Sequence, residues 1–244
     1  MFPFLKKSNE ARLLPFVADV HSHLLPGLDD GVKSVEESMY IIGALKSLGY
    51  RKVITTPHIM TDQYPNSEED IVVKLAEMNR ILQEDKHSIE LEAAAEYFLD
   101  EHLLSSLAAG KKLLTFGPNY LLFETFMNQK PAFLEEAVFD MNSNGYLPVL
   151  AHPERYGYLH GNEKLIQQLK RMNVLFQINL GSLLGYYSSS VRRSALQMLK
   201  TGVVDFVGSD CHNALQMDEL LRGVRKRNNS FLFDLSMRNA ALAH

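Results

Sequence analysis

The chain has 244 residues, of which 46% are hydrophobic and 22% are charged. That is enough to bury a substantial core, and α/β barrels of this length are usually a single domain. The formal net charge of −4 excludes the global basic field that recruits nucleic acid or anionic membranes. A phosphorylated substrate would therefore have to be attracted locally, by metal ions or by a few arginines.

The N-terminal residues and the cysteine content bear on location. Cys211 is the single cysteine, so no intramolecular disulfide can form, which fits a reducing compartment. Residues 1–14 lack the apolar run of a signal peptide. No stretch approaches the roughly 18 uninterrupted apolar residues that a membrane span needs. We therefore expect a cytoplasmic protein without stable membrane insertion.

Short apolar runs alternate with helical patterns along the chain. Each run is rich in valine, isoleucine, leucine or phenylalanine and too short for a typical helix, as expected of strands buried on both faces. The runs lie at residues 16–20, 52–56, 89–95, 120–123, 147–151, 174–178 and 203–207. They predict seven parallel strands.

Helix signals lie between these runs. Ser34 to Glu37 has the pattern of a capping box, and Gly49 closes the helix that follows. A second helix is expected from about Ser67 to residue 83. Pro131 suits the first turn of a third helix, which ends near residues 144–145. Two further helices are expected over residues 163–172 and 190–200.

The alternation of strand and helix predicts one α/β domain over residues 1–244, with a short N-terminal extension of about 15 residues. The parallel sheet is expected to close as a TIM-like barrel. An open doubly wound sheet fits the same pattern.

Metal-ligand residue types follow six of the seven runs. His21, His23 and Asp30 follow the first run, His58 the second, Glu96 the third, Glu124 the fourth, His152 the fifth, and Asp210 and His212 the seventh. The sixth run ends at Asn179, without a charged or imidazole ligand. Because the carboxyl ends of parallel barrel strands open on one face, we expect these side chains to cluster.

Imidazole nitrogens and carboxylate oxygens suit divalent zinc, manganese or iron. His21 and His23 are two residues apart and therefore project to the same side of an extended strand, as do Asp210 and His212. Such a cluster could hold two or three ions, with Glu96 bridging neighbouring ones. It could then activate water and bind the oxygens of a phosphate ester.

Each candidate also has a simpler interpretation. Any one of the histidines could be structural, and His152 before Pro153 could only end a strand. Asp30 before a glycine could form a turn. Glu124 could pair with a buried arginine, and Asp210 could cap a helix. The coincidence at six strand ends favours the metal site. The remaining histidines, namely His87, His102, His160 and His244, are expected at the surface.

Four motifs together resemble those of the PHP (polymerase and histidinol phosphatase) superfamily. They are Asp19-Val-His-Ser-His23, Thr56-Pro-His58, Ala151-His-Pro-Glu-Arg155 and Ser209-Asp-Cys-His-Asn213. The longer strings at 19–31 and 151–156 are closer to the bacterial protein-tyrosine phosphatases of capsular and exopolysaccharide gene clusters, the CpsB/YwqE type. The resemblance runs from about residue 17 to residue 215 with matching order and spacing.

This resemblance implies a distorted (β/α)7 barrel with three divalent ions, commonly manganese, iron or zinc. His21, His23, Glu96 and Asp210 would hold one ion, Glu96, Glu124 and His152 a second, and Asp30, His58 and His212 a third. The implied substrate is phosphotyrosine, typically on the tail of a bacterial tyrosine kinase that controls polysaccharide chain length. Glu96, His152 and Arg155 would be catalytic, with Arg155 binding the phosphate.

The sequence departs from its relatives at one position. They often carry a second phosphate-binding arginine shortly after the last motif. Residues 214–218 contain none here, and Arg222 on the next predicted helix is the first candidate to replace it.

Three other functions compete with this hypothesis. A cysteine-dependent phosphatase needs Cys-x5-Arg, but the sixth residue after Cys211 is Met217, which excludes it. A small phosphorylated substrate, such as histidinol phosphate or a nucleotide, would use the same metals. A non-catalytic metal-binding module is the third alternative. The sequence leaves the oligomeric state open.

Overall fold

A computed structural model describes residues 13–85 and 88–242. Most of the predicted N-terminal extension, residues 1–12, lies outside the described residues, as do His87 and His244. Among the described residues, the structure has no helix with the length and apolar character required to cross a membrane.

The described residues form an α/β fold in which every strand pair is parallel. The strands are β1 Ala18–Asp19, β2 Lys52–Thr55, β3 His58–Ile59, β4 Glu90–Ala93, β5 Glu96–Phe98, β6 Tyr120–Glu124, β7 Leu147–Ala151, β8 Leu175–Asn179 and β9 Phe206–Gly208. The helices are α1 Val35–Ser47, α2 Glu68–Glu84, α3 Glu101–Ala108, α4 Leu134–Ser143, α5 Glu163–Arg171, α6 Leu180–Leu184, α7 Ser189–Lys200 and α8 Ala214–Val224. Short 3₁₀ turns cover Pro153–Arg155, Gly157–Leu159, Arg227–Asp234 and Arg238–Leu242.

The strands are arranged in two sheets, with orders β1-β2-β4 and β3-β5-β6-β7-β8-β9. Two predicted strands are interrupted. Pro57, which lacks an N–H donor, lies between β2 and β3. Residues 94–95 lie between β4 and β5. The Ala94 N–H still donates to the Thr55 carbonyl at 2.9 Å, so the two chain segments stay side by side across the break.

The first and last strands are also neighbours through the residues that follow them. Ser22 and Cys211 form an isolated parallel bridge. The His23 N–H donates to the Cys211 carbonyl at 3.0 Å, and the Asp210 N–H donates to the His21 carbonyl at 2.8 Å. The ligand-type residues after β1 therefore lie directly beside those after β9.

The hydrophobic core has two parts. The larger lies between the sheets and the helices. The smaller contains no α-helix residue and comprises Ala18, Val20, Ile54, Ala94, Phe116, Tyr120, Leu122, Val149, Ala151, Phe206 and Leu242. The strands thus bury both faces, which explains why they are continuous apolar runs and lack strict polar alternation.

Most helix predictions are confirmed, with two corrections. Ser34 caps α1, but the Glu37 carboxylate binds the N–H groups of Lys33 and Ala214 and does not complete a capping box. The reciprocal arrangement occurs instead at Ser67 of α2. Helix α4 begins at Leu134, three residues after Pro131, so the prediction that Pro131 lies in its first turn was wrong. Helices α3, α6 and α8 were not predicted individually.

Asn239 joins β1 to β9 below the site. Its amide oxygen accepts from the Val207 N–H at 3.0 Å, and its amide nitrogen donates to the carbonyls of Val207 and Ala18 at 2.7 and 2.8 Å. The side chain is completely buried. A single residue of the C-terminal 3₁₀ turn therefore satisfies three buried backbone groups.

We expect Asn239→Ala to lower the free energy of unfolding by about 2–4 kcal/mol, because it leaves these backbone groups without partners in the interior. Urea denaturation monitored by circular dichroism measures the loss. Asn144→Ala is the matched control, since its exposed amide bonds only the Asp140 carbonyl of its own helix. Equal stability of the two variants would contradict the bridging role.

Candidate metal centre

Every predicted ligand residue falls within one cluster at the carboxyl ends of the strands. Four overlapping groups have ligand atoms within 4.8 Å of one another. The groups are His23, Asp30, His58 and His212; His21, His23 and Glu96; His21, His152 and Asp210; and His58, Glu96 and Glu124. Except for His21 and His23, the residues of the cluster line a cavity of ≈ 430 Å³.

Glu96 lies at the centre of this cluster and is completely buried. Its Oε2 atom is 3.1 Å from Nε2 of His21 and 3.4 Å from Nε2 of His23. The same oxygen is 3.3 Å from Nδ1 of His58. Its Oε1 atom is 3.1 Å from Nε2 of His152. One carboxylate therefore faces four imidazoles, two from the segment after β1 and one each from His58 and His152.

The outer ring nitrogens of three histidines are fixed by acceptors. Nδ1 of His21 donates to Oε1 of Gln177 at 2.7 Å, and Nδ1 of His23 donates to Oδ2 of Asp29 at 2.7 Å. Nδ1 of His212 donates to the Asp210 carbonyl at 3.0 Å. Because Nδ1 is the donor in each case, loss of the proton from Nε2 leaves the lone pair of Nε2 facing the cluster. Metal-binding histidines typically have this arrangement.

Sequence reasoning missed Gln177 and Asp29 as supporting residues. Gln177 is a polar residue in the middle of the buried strand β8, an unusual position that could have indicated a partner. Asp29 also accepts from the N–H groups of Gly31 at 2.9 Å and His58 at 3.0 Å. It therefore holds two ligand-bearing segments together.

Asp210 is held from the opposite side by three neighbours. Its Oδ2 atom accepts from the Asn179 amide, from the Tyr187 hydroxyl at 3.2 Å and from Nη1 of Arg155 at 3.3 Å. Asn179, the strand end without a ligand, thus orients the carboxylate of the next strand. Helix α8 is capped by Asn213, so Asp210 does not have the capping role considered as its simpler interpretation.

Two residues of the cluster have left-handed backbone conformations. His152 has φ 34° and Asp210 has φ 50°. Non-glycine residues rarely adopt positive φ, and such strain is concentrated at functional sites. In both cases the chain turns sharply at the strand end, and the side chain returns toward the cavity.

The charges of the cluster perturb its titration. Burial alone would lower the pKa of His21, but the carboxylates of Glu96 and Asp210 outweigh it and raise the pKa to about 9. Burial alone would raise the pKa of Glu96, but His21 and His58 hold it well below its ordinary value. The site therefore stabilises positive charge among its ring nitrogens, where a cation would be bound.

The donor set fits a cluster of divalent ions. Nδ1 of His58 and Oε1 of Glu96 are buried without a hydrogen-bond partner among the described residues, although each has a ligand-type atom nearby. Cations bound within the cluster would satisfy both atoms. The donors are nitrogen and oxygen, which suits zinc, manganese or iron. Cys211 is not among them, since its thiol is buried against the Asn213 carbonyl and burial raises its pKa.

The remaining candidates differ in position. Arg155 lines the cavity, with its guanidinium carbon 4.6 Å from the ring centre of Tyr187. Arg222 instead lines a neighbouring cavity and pairs with Glu219 at 2.6 Å. Its phosphate-binding role stays a prediction that this placement does not favour. Glu124 contacts His58 at 3.1 Å, which replaces the arginine of its simpler interpretation. His102 and His160 are exposed as predicted.

Parallel strands whose carboxyl ends gather histidines and carboxylates around one cavity define an α/β protein with the site of a metal-dependent hydrolase. The chain belongs to the capsular polysaccharide synthesis family CpsB/CapC, whose family model matches residues 17–241.

Two curated relatives carry a named activity. The tyrosine-protein phosphatase YwqE of Bacillus subtilis is 28% identical over 195 residues, which are 80% of this chain and 77% of that protein. The tyrosine-protein phosphatase CpsB of Streptococcus pneumoniae is 28% identical over 201 residues, which are 80% of this chain and 82% of that protein.

A solved structure has the same fold. It comes from work on YwqE of Bacillus subtilis and CpsB of Streptococcus pneumoniae, which are described as unique metal-dependent tyrosine phosphatases. The match has a TM-score of 0.80 and 27% sequence identity, and it covers 93% of this chain and 94% of that one.

Proposed function

We propose that the chain is a metal-dependent phosphomonoester hydrolase that acts on phosphotyrosine in proteins. The observation that carries the proposal is the buried Glu96 carboxylate, which faces His21, His152 and two further histidines at 3.1–3.4 Å. The family match and the named activity of its relatives support phosphotyrosine as the substrate. Histidinol phosphate or a nucleotide is the competing substrate.

The proposed ions number three per chain and are manganese, iron or zinc. Each would take its ligands from the sets that the motif resemblance implies, with Glu96 shared between two of them. Glu124 with His152, and Asp30 with His58 and His212, would complete the other two sets. When bound, the ions would neutralise phosphoryl oxygens and lower the pKa of water.

The side chains at the cavity wall would orient the ester. Arg155 presents a planar guanidinium that can donate two parallel hydrogen bonds to phosphate oxygens. Asp210 and the ring of Tyr187 hold this group in place. Glu96 and His152 would act indirectly, because they would hold the ions beside which the phosphoryl group binds. A tyrosine phenol, whose ordinary pKa is about 10, needs little protonation as it leaves.

We further propose that the strands close into a distorted (β/α)7 barrel forming one domain over residues 1–244. Because β2 and β3 occupy one position and β4 and β5 another, the nine described strands occupy seven positions. The Ser22–Cys211 bridge and the Asn239 amide support closure between the first and last positions. The apolar cluster built without α-helix residues would be the barrel interior.

The proposed partner is the phosphorylated tail of a bacterial tyrosine kinase in capsular or exopolysaccharide synthesis. The family match supports a role in capsule synthesis. The cytoplasmic location stays a prediction.

The proposed function is tested by turnover on defined substrates. Protein loaded with manganese, iron or zinc is assayed on a phosphotyrosine peptide, histidinol phosphate and p-nitrophenyl phosphate, before and after chelation, with elemental analysis of each sample. We expect the peptide to be hydrolysed and chelation to abolish turnover. Faster hydrolysis of histidinol phosphate would favour the competing substrate. Metal-loaded protein that is inert toward every ester would contradict the proposal.

Replacing Arg155 separates substrate binding from metal binding. We expect Arg155→Ala to lower kcat/KM for the phosphotyrosine peptide by about 100-fold, mainly through KM, because a charge-assisted bidentate contact is lost. Metal content should be unchanged in elemental analysis. Arg193→Ala, at an exposed position on α7, is the control. An unchanged KM in Arg155→Ala would exclude this arginine from phosphate binding.

A further inference from the structure

A second cavity lies beside the metal centre, with a volume of ≈ 450 Å³. We call it the phenylalanine groove, because Phe98, Phe126 and Phe133 line it together with Met60 and Met127. Large apolar side chains at the surface of a protein often mark a binding site. Phe126 is 58% exposed and Phe133 is 37% exposed, so their rings are available to a ligand.

The groove is built on the strands that carry the ligand residues. Phe98 and Phe126 each follow a glutamate of the cluster by two residues, at the ends of the paired strands β5 and β6. Their rings pack edge to face with centroids 4.9 Å apart. This contact fixes one wall of the groove relative to Glu96 and Glu124.

The groove opens directly into the metal cavity. Met60, Gln63, Glu124 and Met127 line both cavities. A group bound in the groove is therefore next to a group bound at the metal centre. Residues two apart in an extended peptide project their side chains to the same side, about 7 Å apart along the strand. One peptide can thus fill both cavities, with phosphotyrosine at the metal centre and the side chain two positions away in the groove.

The rim of the groove is acidic. Asp62 and Glu101 line it, and both are exposed. Neither forms an ion pair with any residue in the described ranges 13–85 and 88–242. Uncompensated carboxylates repel an acidic side chain and attract a basic one. The occupant should therefore be apolar in its buried part and neutral or basic beside it.

We propose that the phenylalanine groove is a specificity subsite that binds an aromatic or aliphatic side chain two positions from phosphotyrosine in a polypeptide substrate, and that it discriminates against acidic residues at that position. This inference rests on the proposed function. It adds a substrate preference that phosphate recognition alone would not supply, because the proposed contacts of the metals and of Arg155 would involve only the phosphoryl group.

The experiment measures kcat/KM on phosphotyrosine peptides in which the residue two positions before or two positions after the phosphotyrosine, the two flanks, is Phe, Leu, Gly, Lys or Glu. For the flank that enters the groove, we expect the Phe and Leu peptides to exceed the Gly peptide by about 10-fold. The Glu peptide should be slower than the Gly peptide. In Phe126→Ala the ratio of Phe to Gly peptides should approach one.

Phe139→Ala is the matched control, because Phe139 is 65% exposed on α4 but does not line the groove. It should keep the wild-type ratio. Rates independent of both flanks, or a ratio that Phe126→Ala does not change, would overturn the subsite and leave the phosphatase proposal intact. Failure of metal-loaded protein to hydrolyse any of the peptides would overturn both.

Discussion

Glu96→Gln is expected to lower both metal content and phosphotyrosine hydrolysis, with kcat/KM reduced by about 10³-fold or more. Glutamine keeps the size of the side chain, so the buried space remains filled. It removes the negative charge, however, and replaces one carboxylate oxygen by an NH2 group, which can only donate and which faces an imidazole nitrogen in either orientation of the amide. His21 at 3.1 Å and His58 at 3.3 Å from Oε2 would each lose one carboxylate neighbour, keeping Asp210 and Glu124 respectively.

Elemental analysis and peptide turnover measure the two losses, and circular dichroism checks the fold. Glu92→Gln is the matched control on the same stretch of chain. Its carboxylate pairs with Lys52 at 2.7 Å and is 43% exposed, so neutralising it should leave both quantities near wild type. A Glu96→Gln protein that retains full metal content and activity would contradict the role of the Glu96 carboxylate as a shared metal ligand.

The sequence predicts the positions of the strands and of the ligand residues better than the other features of this molecule. The run at 147–151 coincides with β7, and the other runs overlap their strands with small shifts at the ends. The reason is physical: strands buried on both faces need uninterrupted apolar residues, and polar ligand residues appear where burial of the strand ends. His152 is therefore visible in the sequence as the first polar residue after an apolar run.

The support of the ligands could not be predicted in the same way. Gln177 contacts His21 across 156 residues of sequence, and Asp29 contacts the His58 N–H across 29. A long-range contact leaves no periodic signal in a single sequence. The chain passes from one sheet to the other at Pro57 and again at residues 94–95. This was also not predicted, because an apolar run does not indicate which sheet a strand joins. Arg222 was considered for phosphate binding because it is the first arginine after the last motif. In the structure it lies on α8 and pairs with Glu219, three residues earlier on the same helix.

The backbone at His152 gives the second large prediction. This residue follows β7 in a left-handed conformation and precedes the 3₁₀ turn that carries Arg155, so one sharp bend positions both a nitrogen ligand and the phosphate-binding arginine. Nε2 of His152 lies 3.1 Å from Glu96 and 3.8 Å from Glu124, and its Nδ1 has no hydrogen-bond partner among the described residues. The imidazole therefore contributes to the cluster through Nε2 alone.

We expect His152→Ala to lower bound metal and to reduce kcat/KM by about 10²- to 10³-fold, while circular dichroism and the midpoint of urea unfolding measured after chelation stay close to wild type. The fold should survive because the substitution removes no hydrogen bond of the sheets. His102→Ala, an exposed histidine on α3, controls for the loss of an imidazole. Excess metal in the assay should restore part of the activity, since a weakened site can be refilled by mass action. Unchanged hydrolysis by His152→Ala would contradict the proposal that Glu96, Glu124 and His152 together hold one ion. The sharp turn would then serve only to position Arg155.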